Sequence, residues 1–311
     1  MKILITGCAG FIGSNLCEKL CKRGDTIIGI DNLNNYYDIE KKLKNVNNLK
    51  NYKNFIFIKD DLITTNILRE HKFDTVVNIG AMAGVRNSLN NPEIYIKTNT
   101  EGQIHLLKEC VETKVKHFVY ASSSSVYGKN KKIPFSENDV LTDISSPYAL
   151  SKLFSEKIAE FYSKTFNITT IGLRFFTVYG PNGRPDMAPY KFLDAIMKDN
   201  PIDKYGNGES YRDYTYIDDI TDGIIGAIDN KMNKKCEIYN LGNNYPISLN
   251  NFIEICEKIV GKKAIINEMD EQIGDVPYTY ANIEKARNDL NYNPKVKIED
   301  GLKKMYESFF E

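Results

Sequence analysis

The sequence predicts an α/β fold, a doubly wound parallel sheet with a smaller mixed α/β lobe. Three observations predict it. Short apolar runs of strand type alternate with amphipathic helical stretches from Lys2 to about residue 180. The first strand and helix are joined by a turn carrying Gly7, Gly10 and Gly13. Beyond Pro181 the alternation breaks into loops, short strands and helices, with no Gly/Ser-rich linker. A chain of 311 residues is long enough for a large core and two lobes.

The stretch from Lys2 to Asp31 organises the rest. KILIT is a strand; Leu16, Cys17, Leu20 and Cys21 lie at helical spacing and the helix stops at Gly24; TIIGI is a second strand with Asp31 at its end. Gly7 permits a sharp turn, Gly10 a close approach of backbone to a pyrophosphate, and Gly13 close packing of helix on strand. The N-terminus of the helix SNLCEKLCKRG then offers free N–H groups and a partial positive charge to phosphate, and Phe11 and Ile12 in the turn are also expected against the cofactor. Asp31 follows Gly13 by eighteen residues and can accept from ribose hydroxyls, so a Rossmann-type unit holding NAD rather than NADP is expected. The glycine spacing is G-x-x-G-x-x-G.

In order along the chain, Asn32 opens a polar loop with a short helix on the adenosine side. FIFIKDDL reads as a strand that brings Asp61 and Leu62 to the adenine edge. TTNILREHK reads as a short helix and FDTVVNIGA as the next strand, after which Ala81 and Ala83 let backbone approach the cofactor. Residues 90–110 read as one helix with Asn99 facing inward. KHFVYASSSSVYG reads as a strand ending in serines, residues 146–166 as a long amphipathic helix, and NITTIGLRFFTVYGP, with Phe176, as another strand. Past a strand around Tyr205–Tyr216, EIYNLG is a strand that can return to the first sheet, and the remainder reads as mostly helical.

Composition narrows the partners. Lys+Arg and Asp+Glu both number 41, giving zero net charge and no reason to expect nucleic acid. The chain opens on a strand with no leader ahead of it, and no run approaches eighteen apolar residues. A cytoplasmic protein without a membrane partner is therefore expected. The six cysteines and three histidines show no metal-ligand spacing, so buried thiols and no metal are expected.

Tyr148 and Lys152 are four apart on a helix, so phenol and ammonium share a face. A neighbouring cation lowers a phenol's pKa and fits it to take a proton from a hydroxyl. Ser123, at the end of the preceding strand, can bond the same oxygen.

Over its full length the chain resembles the extended short-chain dehydrogenases/reductases, through GCAGFIG, Asp31, the Ser123–Tyr148–Lys152 set, LRFFTVYGP and RDYTYIDDI. Within them it looks most like the nucleotide-sugar 4-epimerases. The resemblance implies retained NAD, a UDP-sugar substrate and hydride transfer at sugar carbon 4, with Tyr148 as base. The 4-keto sugar then turns over and takes hydride on its other face. Ser124 and Ser125 precede Val126-Tyr127-Gly128, where related dehydratases and decarboxylases carry an acid, which favours simple epimerisation.

AGVRNS, TVYGPNGRPDMA and GDVPYTYA are similar to UDP-glucuronate 4-epimerases. Arg184 and Arg86, with Thr177 and Ser88, are then candidates for the carboxylate, Arg212 for the diphosphate and Tyr205 for uridine. Epimerases for UDP-glucose or UDP-N-acetylglucosamine, and dehydratases or decarboxylases of the same family, are the alternatives. The implied organisation is a cofactor domain over 1–180 joined by 215–245, and a UDP-sugar lobe over 181–214 and 246–311. A homodimer pairing through the helices near 100–113 and 148–165 is also implied.

Overall fold

In β1 (Lys2–Thr6), Ile3 and Ile5 enter one buried cluster and Leu4 the opposite one. A strand apolar on both faces must be covered on both, and here it is the centre of a sheet between helical layers. The computed structural model describes residues 1–230, 235–270 and 278–310.

Six further strands flank β1 in parallel: β2 (Thr26–Asp31), β3 (Phe55–Lys59), β4 (Thr75–Asn78), β5 (His117–Ser123), β6 (Thr169–Phe175) and, after an excursion, a return strand, Cys236–Leu241. The order is β3-β2-β1-β4-β5-β6 and then the return strand, so the winding reverses between β1 and β4. Ligand crevices form at that reversal, outside the carboxyl ends of the strands.

The helices follow from caps and stripes. α1 (Phe11–Arg23) buries Leu16, Cys17, Leu20 and Cys21, and Gly24 ends it at φ +97°, its N–H bonded to the Cys21 and Leu20 carbonyls. Asp38 caps α2 (Ile39–Leu49) by accepting from the Glu40 N–H. α3 is only Ile67–Glu70, shorter than the expected helix, and β3 stops at Lys59 rather than running to Leu62.

The single helix expected over 90–110 is a chain of pieces: α4 (Val85–Asn90), α5 (Pro92–Ile96), a π turn (Lys97–Glu101) and α6 (Gly102–Glu112). Pro92 lacks the N–H that would continue α4 and instead sits at the first position of α5. α7 (Pro147–Phe166) starts with Pro147 and is capped by Ser146, which accepts from the Ala149 N–H.

The strand expected over 167–181 is two strands in two sheets. Beyond Phe175 the chain leaves the large sheet as β7 (Thr177–Tyr179). Next come α8 (Ala188–Met197), β8 (Pro201–Tyr205), β9 (Tyr211–Tyr216) and α9 (Ile217–Asp229), which packs on α1. The return strand is β10 (Cys236–Leu241), which pairs with β6 as expected. β11 (Pro246–Ser248), α10 (Leu249–Val260), β12 (Ile265–Met269), α11 (Glu284–Leu290) and α12 (Ile298–Phe310) complete the chain. The C-terminal part is thus less helical than expected. β11-β9-β7 form a three-stranded sheet and β12-β8 a pair. Part of the GDVPYTYA motif lies outside the described residues.

Candidate active site

The two turns at the reversal touch. Gly7 has φ +69°, and a β-carbon on it would lie 2.7 Å from the Gly80 Cα. A β-carbon on Gly13 would lie 2.1 Å from the Gly7 carbonyl oxygen. Bare backbone therefore forms the floor of a cleft of about 580 Å³. Asp31 closes one end, accepting from the Ala9 N–H (3.2 Å) and the Leu33 N–H (2.8 Å). This cradle suits a dinucleotide: unencumbered N–H groups at the start of α1 and a carboxylate at the tip of β2.

The cleft wall includes Gly7, Gly10, Phe11, Ile12, Gly13, Asp31, Asn32, Leu62, Ala81, Ala83 and Phe176. Two residues expected against the cofactor stand behind it. Asn99 is buried, with Nδ2 donating to the Met82 carbonyl (2.9 Å) and Ser151 Oγ (2.9 Å), and Oδ1 accepting from the Met82 N–H (2.8 Å). The π turn aims it there, where it holds the 81–83 turn against α7. Asp61 accepts from Asn32 Nδ2 (2.9 Å) and the Ile63 N–H (2.9 Å), so it shapes the loop rather than lining the cleft.

At the other end the three expected catalytic groups converge. Tyr148 and Lys152 lie one turn apart on α7, with the Lys152 ammonium 6.0 Å from the Tyr148 ring centre. Ser123 lines the same cleft as Tyr148, its hydroxyl donating to Ser125 Oγ (3.0 Å). Burial raises the phenol pKa, while the Ser123 hydroxyl and the Arg184 charge oppose that rise. Lys152 exerts no resolved pull on the phenol, contrary to expectation. Its ammonium donates to the Ala121 carbonyl (2.9 Å), and burial pushes its own pKa down to about 8.

A buried network sets the serine strand against α7. Arg174 makes a two-pronged ion pair with Glu156 (2.8 and 2.8 Å) and donates to the Tyr127 hydroxyl (2.9 Å). Ser122 Oγ donates to Glu156 (2.6 Å) and the Tyr127 hydroxyl to Asn240 (2.7 Å). Sequence reasoning missed this network: Arg174 and Glu156 are eighteen residues apart in unrelated motifs.

The expected sugar-side residues also gather here. Arg86, Ser124, Ser125, Thr177, Arg184 and Arg212 line the cleft. Arg184 and Arg212 also face an adjoining cavity that Tyr205 lines, and the Arg86 guanidinium lies 5.7 Å from the Tyr205 ring centre. Ser88 is the exception. It is fully buried, donating to the Val85 carbonyl (2.6 Å) and accepting from the Tyr148 N–H (3.2 Å), so it fixes the base's backbone instead of facing the cleft. Among the described residues no cluster of three or more His, Cys, Asp or Glu could hold a metal ion. No described helix is long and apolar enough to cross a membrane.

Comparison with known proteins places this geometry. A family model described as GDP-mannose 4,6 dehydratase matches residues 4–305. The chain is 42% identical to protein CapI of Staphylococcus aureus, over 100% of this chain and 99% of that protein. It is 40% identical to a UDP-glucuronate 4-epimerase of Thermodesulfobacterium geofontis, over 97% and 94%. The crystal structure of a Bacillus cereus UDP-glucuronic acid 4-epimerase, in complex with UDP-glucuronic acid and NAD, superposes with TM-score 0.93 at 36% identity, covering 99% and 98%. The glycine cradle, the Ser123–Tyr148–Lys152 convergence and these likenesses agree: the chain belongs to the extended short-chain dehydrogenase/reductase family, in the branch of the GDP-mannose 4,6 dehydratase model.

Proposed function

We propose that this protein is an NAD-dependent UDP-glucuronate 4-epimerase, interconverting UDP-glucuronate and UDP-galacturonate through a 4-keto intermediate. The observation that carries the reading is one cavity lined at once by the glycine cradle, Tyr148 and Arg184. The named epimerases among its relatives support the choice of sugar.

NAD, when bound, supplies the acceptor and donor for the hydride at sugar carbon 4. The Gly7–Gly13 turn and the N-terminus of α1 would face its diphosphate, Asp31 its adenosine ribose, Asn32 and Leu62 its adenine, and Lys152 its nicotinamide ribose. Tyr148 would take the proton of the 4-hydroxyl and later return it, with Ser123 bonding the same oxygen. Arg184, with Thr177 nearby, would hold the carboxylate, whose position matters because a 4-keto glucuronate is a β-keto acid prone to lose carbon dioxide. Arg212 would neutralise the diphosphate. Ser124 and Ser125 stand where an eliminating acid would be needed, which favours epimerisation.

The protein would work in the cytoplasm, where its free thiols stay reduced. Leu150, Phe154 and Phe161 form an exposed apolar stripe on α7, with Ile94 and Ile96 exposed on α5. A second copy would cover this face, giving a homodimer; sedimentation at micromolar concentration should return twice the chain mass. Incubation with UDP-glucuronate, followed by proton NMR of the sugar, should show UDP-galacturonate at equilibrium. Release of carbon dioxide, or turnover of UDP-glucose alone, would overturn the reading.

A further inference from the structure

Arg184 is not left to solvent to orient. Its Nη2 donates to the Tyr36 hydroxyl at 3.1 Å, and its guanidinium carbon lies 5.2 Å from the centre of that ring. On its other side Asp186 takes Nε (2.9 Å) and Nη2 (2.5 Å). Asp186 is two residues from Arg184 on the same loop and moves with it, so the external reference is Tyr36.

Tyr36 comes from the opposite half of the molecule, the loop after β2, and that loop is pinned. The Tyr36 N–H donates to Asn34 Oδ1 (3.2 Å), and Lys42 Nζ donates to the Asn34 carbonyl and side chain, both at 2.9 Å. The Tyr95 hydroxyl also faces Gly84 and donates to the Ala83 carbonyl at 2.7 Å. Room for the contact is made by Gly84. A β-carbon there would lie 2.6 Å from the Tyr36 hydroxyl and 3.5 Å from Arg184 Nη2, on a backbone at φ +100°.

We infer that Tyr36 is a positioning residue for substrate selection: it fixes the plane of the Arg184 guanidinium, so that a loop of the nucleotide half sets how well a C5 carboxylate is told from a neutral sugar. The inference rests on the reading that Arg184 receives the carboxylate. Asp186 and Tyr36 take the Nε and Nη2 donors, which leaves Nη1 for the carboxylate, and a guanidinium plane free to rotate would not keep that group aimed at it.

The test uses the NAD-loaded protein. For Tyr36→Phe, which keeps the ring, the Kd and KM of UDP-glucuronate should rise roughly tenfold, the scale of one hydrogen bond to a charged group. The change in kcat should be much smaller, and the calorimetric Kd of UDP-glucose should move little. In an Arg184→Gln background, Tyr36→Phe should weaken UDP-glucuronate binding no further, because the residue acts through the one removed. Equal weakening of both sugars, no change for UDP-glucuronate, or full additivity with Arg184→Gln would overturn the inference. If the unaltered protein binds both sugars alike and Arg184→Gln affects neither, the carboxylate reading itself falls, and this inference with it.

Discussion

At Gly13 the cleft wall is backbone packed so closely that a single methyl group would meet a carbonyl at 2.1 Å. At Arg184 the wall is side chains: a guanidinium from the loop after β7, a phenol from the loop after β2 and a carboxylate from Asp186. The nucleotide end works by what its residues lack, the sugar end by what they reach. The first should fail when atoms are added and the second when atoms are removed.

The largest expected effect lies where the two ends meet. Tyr148→Phe deletes one oxygen. Loss of a general acid–base group costs about 10³-fold in turnover, on the order of 4 kcal/mol in the barrier. The NAD content of the purified variant should match that of the unaltered protein, because the cradle is untouched. Surviving turnover would remove Tyr148 as the base.

Next is Gly13→Ala, the opposite operation. The obstructing atom is a main-chain oxygen that cannot rotate away, so the turn or α1 must shift, at about 3 kcal/mol. NAD should bind roughly a hundredfold more weakly, read by fluorescence of added NADH. A Gly13→Ala variant that keeps its full complement of NAD would show that the cradle tolerates added atoms and would erase the contrast.

The contrast also explains what could be read from the chain. Gly7, Gly13 and Asp31 act through local geometry, so spacing alone reveals them, and the parallel sheet follows from its alternation. Tyr148 and Lys152 were legible because one helical turn joins them. The Tyr36–Arg184 contact spans 148 residues and the Glu156–Arg174 pair joins a helix to a strand; periodicity carries no trace of either. Ser88 and Asn99 illustrate the reverse error. Both were expected to face ligand, but Ser88 is tied to the Val85 carbonyl and the Tyr148 N–H, and Asn99, on the π turn, to Met82 and Ser151. Asp213 went unnoticed although it is fully buried and accepts from the N–H groups of Asn243 (2.7 Å), Asn244 (3.1 Å) and Ala281 (3.0 Å). A lone aspartate in a tyrosine-rich strand gives no hint that two distant segments tie to it.

The smallest expected effect separates function from stability at the junction. Burial lowers the Lys152 pKa from 10.5 to about 8. Below pH 8 both folded and unfolded chains carry the proton, and the folded chain bears a desolvated cation. Between about pH 8 and 10.5 the unfolded chain binds more protons than the folded one, so this residue makes stability rise with pH across that window. Lys152→Met removes the cation and keeps the volume, at the loss of one hydrogen bond to Ala121. The variant should therefore be more stable than the unaltered protein at pH 7 by about 1–2 kcal/mol, with the gap closing as pH rises. Urea unfolding of nucleotide-free protein at pH 7 and pH 9.5 measures this directly. A variant less stable at pH 7, or a gap that does not narrow, would mean that the ammonium is held by its surroundings rather than strained by them.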